Sequence, residues 1–127
     1  MEKRDKAVVV IEPAADHREK EGFFVLASGA LPSDAAGIPL GVIVQGENTD
    51  GRDTVATAGF GGTVTVKLSA SPGAVSLGTY LVLDGTTLGA AKADLGSGNR
   101  VRVARALEPG VAGELIEAYL VEPTALT

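Results

Sequence analysis

The sequence predicts an all-β domain: a small antiparallel β-barrel or sandwich with long loops and at most one or two short helical turns. Three observations carry this. Apolar and polar residues alternate with period two, most cleanly in Gly62-Thr63-Val64-Thr65-Val66-Lys67-Leu68-Ser69, the pattern of a half-buried strand. The 127 residues include 17 Gly and 6 Pro, and these turn formers fall between apolar runs, at the spacing of short strands in a sandwich or barrel. After Gly22 no apolar pattern of helical period continues for a useful length.

Along the chain, residues 1–6 are charged and lack an apolar anchor, which predicts a flexible arm. Ala7-Val8-Val9-Val10-Ile11 reads as the first strand, ended by Glu12-Pro13. A short helix is expected over residues 14–21, with Pro13 at its first turn and Asp16 paired to Lys20. Strands are then expected over 23–27, 38–44, 54–58, 62–69, 79–83, 100–107 and 114–121. In the last, Ile116, Ala118 and Leu120 alternate with Glu117 and Tyr119. Asp50-Gly51, Gly61-Gly62, Ser71-Pro72-Gly73, Asp84-Gly85, Gly98-Asn99 and Pro109-Gly110 supply the turns, since Gly reaches positive φ freely and Pro presets φ. Asp84-Gly85 is the best tight hairpin, between Leu81-Val82-Leu83 and Thr86-Thr87-Leu88. Residues 70–78 could hold one helical turn. The domain organisation is thus an arm (1–6), one β domain (7–121) and a C-terminal tail (122–127).

Composition narrows the function. A hydrophobic fraction of 45% predicts a packed core, and with 4% aromatics and no Trp that core is aliphatic. The absence of Cys removes disulfides, zinc–thiolate sites and thiol chemistry. A net charge of −5, with 16 acids against 11 bases, opposes a general nucleic-acid binder, because phosphate affinity is drawn from Lys and Arg. No apolar run approaches the length needed to span a bilayer, and residues 7–11 are too short for a secretory core, so neither membrane association nor export is expected.

Reactive candidates are few. His17 is the single histidine, among Asp16, Arg18 and Glu19, and reads as a solvated surface residue. Glu47-Asn48-Thr49-Asp50-Gly51-Arg52-Asp53 has calcium-loop composition without the ligand spacing or bidentate Glu of an EF-hand, and reads as a polar loop. Glu114 and Glu117 are too oddly spaced to share a strand face as a carboxylate pair. Gly59-Phe60-Gly61-Gly62 and Gly96-Ser97-Gly98-Asn99 precede no helix, so they read as hairpin ends rather than phosphate loops. Neither metal nor cofactor is expected, and the chain is expected not to be an enzyme. One charge pattern stands out: in Arg100-Val101-Arg102-Val103-Ala104-Arg105, alternation puts Arg100 and Arg102 on one face. Arg105 falls on the valine face unless a bulge intervenes. Arg100 and Arg102 are subunit-interface candidates, placed to meet carboxylates of a neighbouring copy; the alternative is cross-strand pairing within one subunit.

From about residue 7 to 121 the chain resembles the phage capsid cement, or head decoration, family. The resemblance rests on the order and spacing of Gly37-Ile38-Pro39-Leu40-Gly41-Val42, Gly62-Thr63-Val64-Thr65-Val66 and Pro72-Gly73-Ala74-Val75-Ser76-Leu77-Gly78. It continues through Leu81-Val82-Leu83-Asp84-Gly85, Val103-Ala104-Arg105-Ala106-Leu107-Glu108 and Gly113-Glu114-Leu115-Ile116. The chain departs from the family pattern at Gly22-Phe23 and Gly78-Thr79, where Gly-Asp is common. The resemblance implies a homotrimer on the outer capsid surface, bound to the major capsid protein and assembled in the host cytoplasm. Glu2, Lys3, Arg4, Asp5 and Lys6 are then capsid-contact candidates, ordering on the shell. The alternative is a non-catalytic β-sandwich module binding a ligand or carbohydrate, for which the chain offers few aromatics; a small hydrolase is the third class, with His17 its one usual base.

Overall fold

The computed structural model describes residues 8–13, 17–33, 38–46, 51–57 and 62–127. Among them the chain forms nine strands: β1 (Val8–Ile11), β2 (Phe24–Val25), β3 (Gly41–Gln45), β4 (Asp53–Thr57), β5 (Thr63–Lys67), β6 (Tyr80–Leu83), β7 (Ala91–Ala93), β8 (Arg100–Ala106) and β9 (Leu115–Leu126). They build a four-stranded sheet in the order β1-β4-β3-β2 and a five-stranded sheet in the order β5-β9-β8-β6-β7, with every ladder antiparallel. The all-β class is therefore present, as two antiparallel sheets, neither of them closed into a barrel.

The larger sheet nevertheless curls strongly. Leu68, just beyond β5, makes an isolated parallel bridge to Ala91 in β7, so the two edges of the sheet touch at one point. The Ser69 N–H completes that contact by donating to the Ala91 carbonyl at 2.9 Å. A sheet bent this far leaves a narrow interior. It is filled by Val64, Val66, Leu68, Leu81, Leu83, Val101, Val103, Ile116 and Leu120, together with the small side chains of Ala91, Ala93, Ala104, Ala106 and Ala118. Phe24 and Val42 of the smaller sheet enter the same core, while Phe23, Val25, Ile43, Val55 and Ala90 form a second cluster. The smaller sheet is thus apolar on both faces.

Alternation in β5 is as the sequence predicts: Val64 and Val66 are buried, Thr63 and Thr65 exposed. In β9, Ile116, Ala118 and Leu120 are buried while Glu117 and Tyr119 are exposed. Several expectations are corrected. Residues 17–21 form turns rather than helix, with Lys20 N–H donating to the His17 carbonyl and Phe23 N–H to the Lys20 carbonyl; residues 14–16, and so the Asp16–Lys20 pair, lie outside the described residues. Residues 70–78 carry no helical turn; Val75 is fixed instead by a bridge to Gly110. Asp84-Gly85 is not a tight hairpin turn. The Asp84 carboxylate accepts from the N–H groups of Thr86 and Thr87 and from the Thr86 hydroxyl, and this widens the loop so that β6 pairs with β7 instead of with residues 86–88.

The sequence Gly96-Ser97-Gly98-Asn99 is no hairpin end, because β7 and β8 both pair with β6 and not with each other. It lies in the crossover between them. Residues 122–126, expected as tail, are the second half of β9, which runs beside β8 as far as the Arg100–Leu126 pair. Pro123 is accommodated at the register shift, where Thr124 pairs with Arg102 and Leu120 with Ala104. At such an irregularity a residue without an N–H forfeits no ladder bond.

Gly89 joins the two layers. Its N–H donates to the Pro32 carbonyl and its carbonyl accepts from Phe24 N–H, both at 2.8 Å. It has φ +78°, and an added Cβ would lie 2.8 Å from the Phe24 carbonyl oxygen. Gly89→Ala is expected to cost about 3 kcal/mol and lower Tm on the order of 10 °C, combining backbone strain with the clash. Gly96→Ala separates the two: its φ is +83° with nothing within 4 Å of the added Cβ, so it should cost only about 1 kcal/mol in the same thermal melts.

Candidate interaction face

The outward face of the five-stranded sheet carries the most distinctive arrangement of side chains. Register places Thr63, Tyr119, Arg105 and Tyr80 in one row across β5, β9, β8 and β6. Beside that row lie Thr65 and Glu117, which face each other across β5 and β9, with Leu107 just beyond β8 donating its N–H to the Glu117 carbonyl. Leu115 follows, opposite Lys67. Four large side chains on this face are open to solvent: Tyr80 at 38%, Leu107 at 40%, Tyr119 at 42% and Leu115 at 51%. A solvated sheet face is ordinarily polar, which makes this group the candidate contact surface of the molecule.

The conformation of β8 sets which charges reach the face. Strict alternation would turn Arg105 inward with the valines. Both ladders of β8 shift register instead, against β6 between Leu81 and Val82 and against β9 between Arg102 and Ala104. Val103 and Ala104 are consecutively buried as a result, and Arg105 emerges on the exposed side. Its Nε donates to the Gly78 carbonyl at 3.1 Å, and the guanidinium stands 5.1 Å from the Tyr80 ring centre. No carboxylate among the described residues pairs with it.

Arg100 and Arg102 have a different assignment. Both grip Asp94, whose side chain is 5% exposed. Arg100 Nε donates to Asp94 Oδ1 at 2.6 Å; Arg102 Nη2 and Nε donate to Oδ2 at 2.8 and 3.3 Å. The Gly96 N–H adds a bond to Oδ1 at 2.8 Å, and Arg100 Nη1 reaches the Gly98 carbonyl. Burial alone would raise the Asp94 pKa, but hydrogen bonds from Arg102, Gly96 and Arg100, with the Arg100 charge, outweigh it and hold the carboxyl below its ordinary 3.8. Arg102 also lies 4.1 Å over the Tyr80 ring. Of the two expectations for these arginines, a neighbouring copy's carboxylate or pairing within one subunit, the second is present: both take a carboxylate of the same chain, across β7 and β8.

Other candidates are placed as follows. His17 is 1% exposed rather than solvated, because the turns that follow it send Arg18 and Glu19 outward and the ring inward. Its carbonyl lies against Gly46, whose N–H donates to Glu21 Oε2 at 2.8 Å. A cleft of about 350 Å³ opens between the sheets, lined among others by Glu21, Ile43, Val44, Thr65 and Glu117. Glu114 and Glu117 are exposed; the Glu114 carboxylate accepts from Val111 N–H. Among the described residues no group of three or more His, Cys, Asp or Glu is placed to hold a metal ion. Residues 47–50 of the acidic loop lie outside the described residues, as do Glu2, Lys3, Arg4, Asp5 and Lys6.

Sequence reasoning passed over Asp94 and the shared row of Tyr80 and Tyr119. Asp94 carried a local signal, an Asp two residues before Gly96 and followed by Arg-x-Arg, the composition of an Asx-type turn clamped by guanidinium groups. The tyrosine row depends on register and bulge, which no local pattern discloses. Compared with known proteins, the chain matches no family model and no curated sequence.

Asp94→Asn should cost about 2 kcal/mol near neutral pH, since it leaves two partly buried guanidinium groups without their countercharge. The lowered pKa gives the pH sign: the carboxylate contributes its full stability above the ordinary unfolded-state value near 3.8, and loses it as pH falls through the folded-state value. Urea unfolding of both proteins from pH 7 down to pH 2 should show the gap between them narrowing below about pH 4. A gap independent of pH would mean that the ion pairs contribute nothing.

Proposed function

We propose that this protein is a phage-type head decoration, or capsid cement, protein. In this reading it is a sandwich-like β body without catalysis or cofactor, which binds the outer surface of a capsid shell as an oligomer and stabilises it. The observation that carries the reading is the outward face of the five-stranded sheet, where four large apolar or aromatic side chains and Arg105 stand exposed together. The resemblance of residues 7–121 to the family supports the same conclusion and implies a homotrimer, with the major capsid protein as partner and the virion surface as location after assembly in the host cytoplasm. Three linked copies convert several weak contacts into one firm attachment, so the individual contacts need not be strong.

The second reading is a β-sandwich module that binds carbohydrate. The alignment of Tyr80 and Tyr119 in one exposed row favours it. Arg102 and Arg105 lie over the Tyr80 ring, however, which leaves Tyr119 as the main stacking surface.

Light scattering of the pure protein should give three times the 12.8 kDa chain mass. Mixed with empty heads lacking their decoration protein, the intact chain should sediment with the shells, and a chain lacking residues 1–6 should remain largely in the supernatant. A monomer that ignores the shells but binds on a glycan array would establish the second reading instead.

A further inference from the structure

We infer that copies of this chain meet through the outward face of the five-stranded sheet, with Arg105 of each copy pairing with Glu117 of the next around a rotation axis beside Tyr119. This deepens the oligomeric reading above and rests on it. The face is complementary to itself. Arg105 and Glu117 are both exposed, of opposite charge, on neighbouring strands and one outward step apart, with Tyr119 directly opposite Arg105.

Neither charge is satisfied by the other within one chain. The Arg105 guanidinium is drawn away from β9 by the Gly78 carbonyl and the Tyr80 ring, on the β6 side. The Glu117 carboxylate has no cationic partner among the described residues. The nearby Lys67 Nζ donates to the Gly113 carbonyl, and the Glu108 carboxylate accepts the Glu117 N–H. Arg100 and Arg102 are committed to Asp94, which leaves Arg105 as the cation of β8 available to another molecule.

Symmetry does the rest. A rotation axis that grazes a face carrying a positive and a negative group side by side brings the positive group of each copy against the negative group of the next. In a trimer the outcome is a ring of three Arg105–Glu117 pairs around three Tyr119 side chains. Leu115 and Leu107 are then covered at its margin. Tyr and Arg at the centre of a contact, with apolar neighbours that exclude water, are the residue types that dominate association energy.

The test uses charge exchange and the absence of cysteine. Arg105→Glu and Glu117→Arg should each raise the concentration at half-dissociation by about tenfold or more, and the double exchange should recover most of that loss. Tyr119→Cys introduces the chain's one thiol and should give covalent dimer on mild oxidation at micromolar concentration. Leu95→Cys, which replaces a side chain 80% exposed in the β7–β8 crossover, should not. The cross-link reads proximity even if a charge variant folds poorly. An oligomer that survives both single exchanges and yields no Tyr119→Cys dimer would overturn this contact while leaving the oligomeric reading intact. A wild-type monomer would overturn both.

Discussion

One buried carboxylate organises the outer half of the five-stranded sheet. Asp94 leaves β7 where the chain must cross β6 to start β8, and it draws in the first two arginines of that strand. With Arg100 and Arg102 fixed to it, the start of β8 is pinned to the crossover, and the register shift falls after Arg102. Val82, on what would otherwise be the open face, is buried there and lines a small pocket together with Leu95, Ser97, Asn99 and Arg100. Beyond the shift the face is uncovered and carries Arg105, Tyr119 and Tyr80. The sheet is thus divided into a sealed end, held by ion pairs, and an open end available for contact.

The distribution of aromatic residues fits this division. With 4% aromatics and no Trp, a chain is expected to keep its aromatic rings for the core. Phe23 and Phe24 are indeed buried, yet both tyrosines stand on the exposed sheet face. The interior manages without them because the curled sheet leaves little width, and alanines at positions 91, 93, 104, 106 and 118 let the strands close on Val and Leu. Placing Tyr outside puts large amphipathic area, with few rotatable bonds, where a partner can cover it.

Legibility followed the range of the interaction. β1 to β6, β8 and the first half of β9 stood near their expected positions, because alternation and flanking turn residues are local properties. β7 was missed: Ala91-Lys92-Ala93 is a strand only because β6 offers it an edge, and alanine has no strand preference of its own. The Asp84 loop misled in the opposite way, since Asp-Gly advertises a tight turn while the carboxylate gathers the Thr86 and Thr87 amides into a wider one. His17 read as solvated from its charged neighbours; it is buried where its backbone packs against Gly46, a contact distant in sequence. The arginine strand was half legible. Its composition announced carboxylate partners, and the condition that a bulge would redirect Arg105 was visible, but that Asp94 would satisfy the first two arginines required the crossover between β7 and β8.

The size of the open face limits what it can do alone. Adjacent strands lie about 4.8 Å apart and rise about 3.3 Å per residue, so the area from β5 to β6 over five residues is on the order of 14 by 16 Å. That is a small part of the roughly 800 Å² per partner found in stable protein complexes. A pairwise contact through this face would therefore dissociate readily, however well its charges matched. In a closed ring the two sides of this one face would meet two different neighbours, so a copy could leave only by breaking both contacts, although the area covered per copy stays that of the single face. Exposed ion pairs add little to affinity but penalise wrong registers strongly, so in the proposed contact Arg105 and Glu117 would mainly select the rotation, while Tyr119 and its leucine neighbours would supply the burial. A surface that is weak in pairs and firm in a closed ring suits a protein whose attachment to a shell depends on several copies arriving as a unit.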